Sequence, residues 1–82
     1  MKKENNDPYI DHYKRLGKVV RHLRKNRTNL DYISFAETIG LNKKSYYRIE
    51  RGYGDYHISS LLKIITYYGN LSLEEFFKMT EL

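Results

Sequence analysis

None of the 82 residues is a cysteine, which excludes a disulfide framework and a thiolate metal centre. No stretch approaches the ~18 consecutive apolar residues that a membrane span requires. The opening MKKENNDP is polar and lacks the apolar segment of a secretory leader, so a cytoplasmic location is expected. Proline occurs once, as Pro8. After Asp7 it reads as a helix start, with Asp as N-cap and Pro at the first helical position, where its missing N–H costs nothing. His12, His22 and His57 do not have the spacing of metal ligands. No nucleophile and base stand at a recognisable spacing either. The expectation is therefore a non-enzymatic protein with no metal, no cofactor and no evident small-molecule ligand.

What the chain does have is positive charge, unevenly placed. Fifteen Lys+Arg against ten Asp+Glu give a net charge of +5. Between Lys14 and Arg27 lie seven basic residues (Lys14, Arg15, Lys18, Arg21, Arg24, Lys25 and Arg27) and no acid. Lys43, Lys44, Arg48 and Arg51 follow, with Glu50 the one acid among them. From Gly52 onward the balance reverses, with Lys63 and Lys78 against Asp55, Glu74, Glu75 and Glu81. A basic first two-thirds and a mildly acidic end point to a polyanion on one side of the molecule, against the plainer reading of a solvated helix face.

Hydrophobic spacing predicts an all-α chain of five helices with short connections, residues 1–6 forming a polar tail and 7–82 a single domain. Helix 1 is expected from Pro8 to about Asn26, with an apolar stripe of Tyr9, Tyr13, Leu16, Val20 and Leu23. Gly17 interrupts that stripe, at about 1 kcal/mol relative to alanine, and marks a close approach of another backbone. Asp31 caps a second helix, Tyr32 to Ile39, which presents Phe35, Ala36 and Ile39 on one face. Gly40 supplies a left-handed exit, and Asn42 caps a third helix, Lys43 to Arg51. Tyr46 and Ile49 face inward on that helix, while Lys43, Lys44, Tyr47, Arg48 and Arg51 face out. A fourth helix is expected from Ile58 to Tyr68, with a wide apolar face of Ile58, Leu61, Leu62, Ile64 and Ile65. Ser72 and Glu75 form a capping box for a fifth, Leu73 to Met79, with Leu73, Phe76 and Phe77 apolar. A short helix that is apolar inside and cationic outside, joined by a tight turn to a preceding helix, is the arrangement that enters a DNA major groove.

Laid out in order, LGKVVRHLR, LDYISFAETIGLNKKSYYRIERG and HISSLLKIITYYGNLSLEEFF resemble the Cro/phage-repressor type of helix-turn-helix domain, often called the XRE-like family. The resemblance covers about Leu16 to Phe77 and rests on the ordered set of motifs rather than on any one of them. It implies a lambda-repressor-like, five-helix DNA-binding domain with helices 2 and 3 as the helix-turn-helix. It further implies a sequence-specific transcriptional regulator, read as a repressor, that binds double-stranded DNA as a dimer on a near-palindromic operator. A protein-interaction module of the same fold and a DNA-binding antitoxin are the alternatives.

Roles for individual residues follow from the chemistry and the resemblance together. Lys43, Lys44, Tyr47 and Arg48 are expected to contact bases: Arg or Lys pairs with guanine, and a tyrosine ring edge meets a thymine methyl. Arg27, Tyr32, Asn42, Arg51 and Tyr53 are expected at phosphates, helped by helix N-termini. Arg24 and Glu50 match a pair that forms an internal salt bridge in this family. Phe77, Met79 and Leu82 are the expected dimer contacts. The sequence departs from the family pattern at Tyr32, where a glutamine is usual, and at Tyr46, where a buried aliphatic is usual. A buried Tyr46 needs a partner for its hydroxyl.

Overall fold

The computed structural model describes residues 8–81. Within them lie five α-helices and no strand: α1 (Ile10–Arg27), α2 (Tyr32–Ile39), α3 (Lys43–Glu50), α4 (Ile58–Tyr67) and α5 (Leu73–Met79). Asp7 and Leu82, expected as a cap and a dimer contact, lie outside the described residues. No described helix is long and apolar enough to cross a membrane.

Local chemistry explains most of the boundaries. Asp31 accepts from the Ser34 N–H at 2.8 Å, and Asn42 accepts from Lys44 and Ser45 N–H at 2.8 and 3.3 Å. Ser72 and Glu75 bond reciprocally, at 3.0 and 2.9 Å, as a complete capping box. Gly40 sits at φ 76°, and its N–H and that of Leu41 close α2 onto the Glu37 and Ala36 carbonyls. The start of α1 differs from expectation. Pro8 and Tyr9 form a turn, Tyr9 takes the cap position without a side-chain bond, and the helix begins at Ile10.

The core gathers on Phe35. Its ring lies 5.3 Å from Tyr46, 4.9 Å from Tyr67 and 6.1 Å from Tyr68. Around it are the fully buried Val20, Leu23, Ala36, Ile49, Ile64 and Phe76. Three expected apolar faces prove narrower. On α1 the buried residues are Gly17, Val19, Val20, Leu23 and Arg24. Tyr9, at 58 % exposure, stands outside the core, since it precedes the helix. On α4 the core takes Leu61, Ile64 and Ile65, whereas Ile58 and Leu62 are exposed. At 3.6 residues per turn, Leu62 points roughly 100° away from the centre of the buried face. On α5 only Phe76 is buried; Leu73 and Phe77 are exposed, four residues apart on one side.

Gly17 sets how closely α1 and α3 approach. A Cβ there would lie 2.5 Å from the Ile49 carbonyl oxygen and 2.7 Å from that of Glu50. Both atoms are backbone, so a methyl group could be accommodated only by moving α3. Gly17→Ala gains about 1 kcal/mol of helix propensity but introduces this overlap, and overpacking typically costs about 1–3 kcal/mol or more. We expect a net loss of stability in urea unfolding; an unchanged or raised midpoint would contradict the close approach.

Candidate functional site

The site is built on α3, and what fixes α3 is buried charge. Arg24, on the last turns of α1, donates through Nε to Glu50 Oε2 at 2.7 Å and through Nη2 to Oε1 at 3.0 Å. Its Nη1 donates to the Leu30 carbonyl at 3.0 Å. Tyr46 donates its hydroxyl proton to Glu50 Oε2 at 2.5 Å, so the partner that buried hydroxyl needs lies one helical turn away. The two charged side chains are only 10 % and 6 % exposed, and the pair is therefore little screened. The Glu50 carboxylate raises the Arg24 guanidinium above its ordinary range. Burial first, and then the bond to Glu50, push the Tyr46 hydroxyl up as well. Both groups hold one protonation state across the physiological range.

With its inner side fixed, α3 turns its other side to solvent. Lys43, Lys44, Tyr47, Arg48 and Arg51 are all exposed. Tyr32, Lys43, Lys44, Tyr47 and Arg48 line a shallow groove of about 500 Å³ at the junction of α2 and α3. The four residues expected to contact bases are thus brought together, beside Tyr32. Tyr32 and Tyr47 meet ring to ring, with centroids 5.2 Å apart, and the Arg51 guanidinium stands 5.5 Å from the Tyr47 ring.

Arg48 is held by neighbours that its sequence context did not announce. Its Nε and Nη2 donate to the two carboxylate oxygens of Asp55 at 3.2 and 2.7 Å, and its guanidinium lies 4.4 Å from the Tyr53 ring centroid. The bond to Asp55 raises the Arg48 guanidinium and lowers the Asp55 carboxyl. Asp55 engages the Nε/Nη2 edge of the fork, which leaves the Nη1/Nη2 edge outside that pair. The one advance signal was an acid in the loop after a cationic helix, seven residues from its partner. Tyr53, expected at a phosphate, has one ring face under Arg48.

The remaining expected contacts are dispersed. Asn42 has its side-chain oxygen committed to the α3 cap, which leaves the amide NH₂ as its outward donor. Asp31 places a carboxylate at the start of α2 and occupies the Ser34 N–H there. Arg27, at the end of α1, does not line this groove; its charge acts instead on Glu75 and Tyr68. Met79 is half-buried and packs on the core, unlike the exposed Phe77. Among the described residues no three His, Asp or Glu side chains gather where they could hold a metal ion.

Comparison with protein-family models, with characterised proteins and with solved structures gave no match to this chain.

Breaking the Arg24–Glu50 pair by Arg24→Ala or Glu50→Ala leaves a buried charge without its partner, and should cost about 3–5 kcal/mol in equilibrium unfolding. A loss under 1 kcal/mol would mean that the pair is open to water. A pH dependence also follows. Unfolded tyrosines ionise near pH 10, whereas burial pushes Tyr68 up to about 12 and Tyr46 is raised too. Above pH 10 the unfolded chain therefore binds fewer protons than the folded one, and stability falls as pH rises. The urea midpoint should be lower at pH 11 than at pH 9; a rising midpoint would reverse the assigned shifts.

Proposed function

We propose that the chain is a sequence-specific double-stranded DNA-binding regulator of the lambda-repressor-like, helix-turn-helix type, acting as a repressor by occupying its operator. One observation carries the reading: Lys43, Lys44, Tyr47 and Arg48 on α3, with Arg51 at its C-cap, stand exposed on one face while the opposite side is fixed by a buried ion pair. A major groove accepts a helix of this kind. Arg48 serves as the guanine reader, because the fork edge left by Asp55 matches guanine O6 and N7. Lys43, Lys44 and Tyr47 supply the neighbouring base contacts, and Arg51, Tyr32 and the Asn42 amide supply phosphate contacts. The exposed pair Leu73 and Phe77 supports a second copy across α5, which would suit a near-palindromic site with half-sites about 34 Å apart.

Selection from a random duplex pool at two salt concentrations tests this reading. Enrichment of a short motif, with binding that weakens steeply as salt rises, is the expected result. Failure to bind any duplex would overturn it in favour of a protein-interaction module. On the enriched site, Arg48→Ala should weaken binding roughly ten- to a hundredfold and relax preference at one base pair. Arg51→Ala should weaken binding to all sequences alike and reduce the salt slope by about one. If Arg48→Ala weakened every sequence equally, Arg48 would be a phosphate contact rather than a reader.

A further inference from the structure

Reading bases with α3 leaves a second, larger groove beside it unexplained. A groove of about 780 Å³ runs between the outer side of α1 and the second half of α3. Lys14, Lys18, Arg21 and Lys25 line its α1 wall, with Tyr47 and Arg51 opposite. We infer that this groove takes the sugar–phosphate backbone of the DNA strand flanking the stretch read by α3, making α1 a second contact element. The inference rests on the DNA-binding reading and extends it beyond the helix-turn-helix.

Four features of the groove support this. The basic residues recur at spacings of four, three and four, so they form one straight row along α1 rather than a scatter around it. Eleven residue steps of helix carry that row over about 16 Å, close to five nucleotide steps of one strand at about 3.4 Å each. The only carboxylate in the lining, Glu50, is already taken by Arg24 and Tyr46. Among the described residues none of the four row residues has a salt-bridge partner, the two ion pairs being Arg24–Glu50 and Arg48–Asp55. The groove is thus lined by positive charge that nothing within the described fold neutralises.

The shape identifies the ligand further. Tyr32 and Tyr47 belong to both this groove and the base-reading one. The tyrosine pair is the ridge between them, and a polymer lying over it enters both. No aliphatic side chain lines the basic groove. An acidic protein partner would bring apolar anchors to its contact, and the groove offers only the Tyr32 and Tyr47 rings against six Lys and Arg. A phosphate backbone needs only a row of Lys and Arg donors.

Two doubly substituted proteins with equal change of net charge provide the test. Lys18→Gln with Arg21→Gln removes charge from the row and keeps most of its aliphatic length. Lys63→Gln with Lys78→Gln removes the same charge from α4 and α5, outside the groove. Binding to the pool-selected duplex is measured across a salt series, and strand protection is mapped by hydroxyl-radical cleavage. The α1 pair should lower the salt slope by about two and shorten protection on the flanking strand, while the control pair leaves both in place. Lys14→Gln with Lys25→Gln should repeat the effect, which guards against a folding artefact in either pair. Equal losses from the α1 and control pairs would reduce the effect to net charge and overturn the inference. So would an unchanged slope in the α1 pair while Arg48→Ala still relaxes base preference; the base-reading role would then stand without the groove. If the parent protein binds no duplex at all, the DNA-binding reading fails and this inference fails with it.

Discussion

The structure depends on the Arg24 guanidinium. Its fork reaches Glu50 on α3 with two donors and the Leu30 carbonyl before α2 with a third, so one side chain fixes the relation of α1, α2 and α3. A lysine, with a single nitrogen and no planar fork, cannot hold all three positions. A buried ion pair of this kind is a weak source of net stability, since desolvation offsets most of the attraction. Its value here is positional. Hydrophobic contacts tolerate sliding; two parallel N–H···O bonds do not. Tyr46 adds a third donor to the same carboxylate, so Glu50 is held from α1 and from within α3.

The tyrosines divide along the same boundary. Tyr46, Tyr56 and Tyr68 pack into or against the core, each giving up ring area to water exclusion. Tyr47 and Tyr53 remain at the surface beside α3, while Tyr32 is half-buried and packs against the core as well as facing Tyr47; the surface rings meet a neighbouring ring or lie beneath arginines. Rings placed this way hold cationic side chains at low entropic cost, because a tyrosine has few rotatable bonds to order. Arg48 and Arg51 each stand over one, so the cationic face is partly ordered before any ligand arrives.

Much of this was legible in the chain. Both limits of α2 and the start of α5 followed from Asp31, Gly40, Ser72 and Glu75, because capping is local chemistry with a fixed offset. The Arg24–Glu50 pair was legible only through resemblance, since nothing local joins residues 26 apart. Gly17 announced a close approach but not what approached. Periodicity overstated the buried width of α1, α4 and α5: it counts apolar residues but not the neighbours available to cover them, and Ile58 and Leu62 remain exposed. Asp55 escaped notice because its partner depends on the path of the loop after Gly52. The grouping of Lys43, Lys44, Tyr47 and Arg48 is legible in the sequence, whereas the separation of Arg27 from them depends on α1 ending near Glu75 and Tyr68.

The placement of Lys43, Lys44, Tyr47 and Arg48 outside the core has a consequence for how such a protein can change over generations. Folding is secured by residues pointing inward from α3, Tyr46 and Ile49, and by Glu50 beneath them. The outward residues carry almost none of that burden. Substitutions among them can alter the charge and shape of this surface while the scaffold persists, so a changed surface is within reach of single changes that do not first require a more stable ancestor.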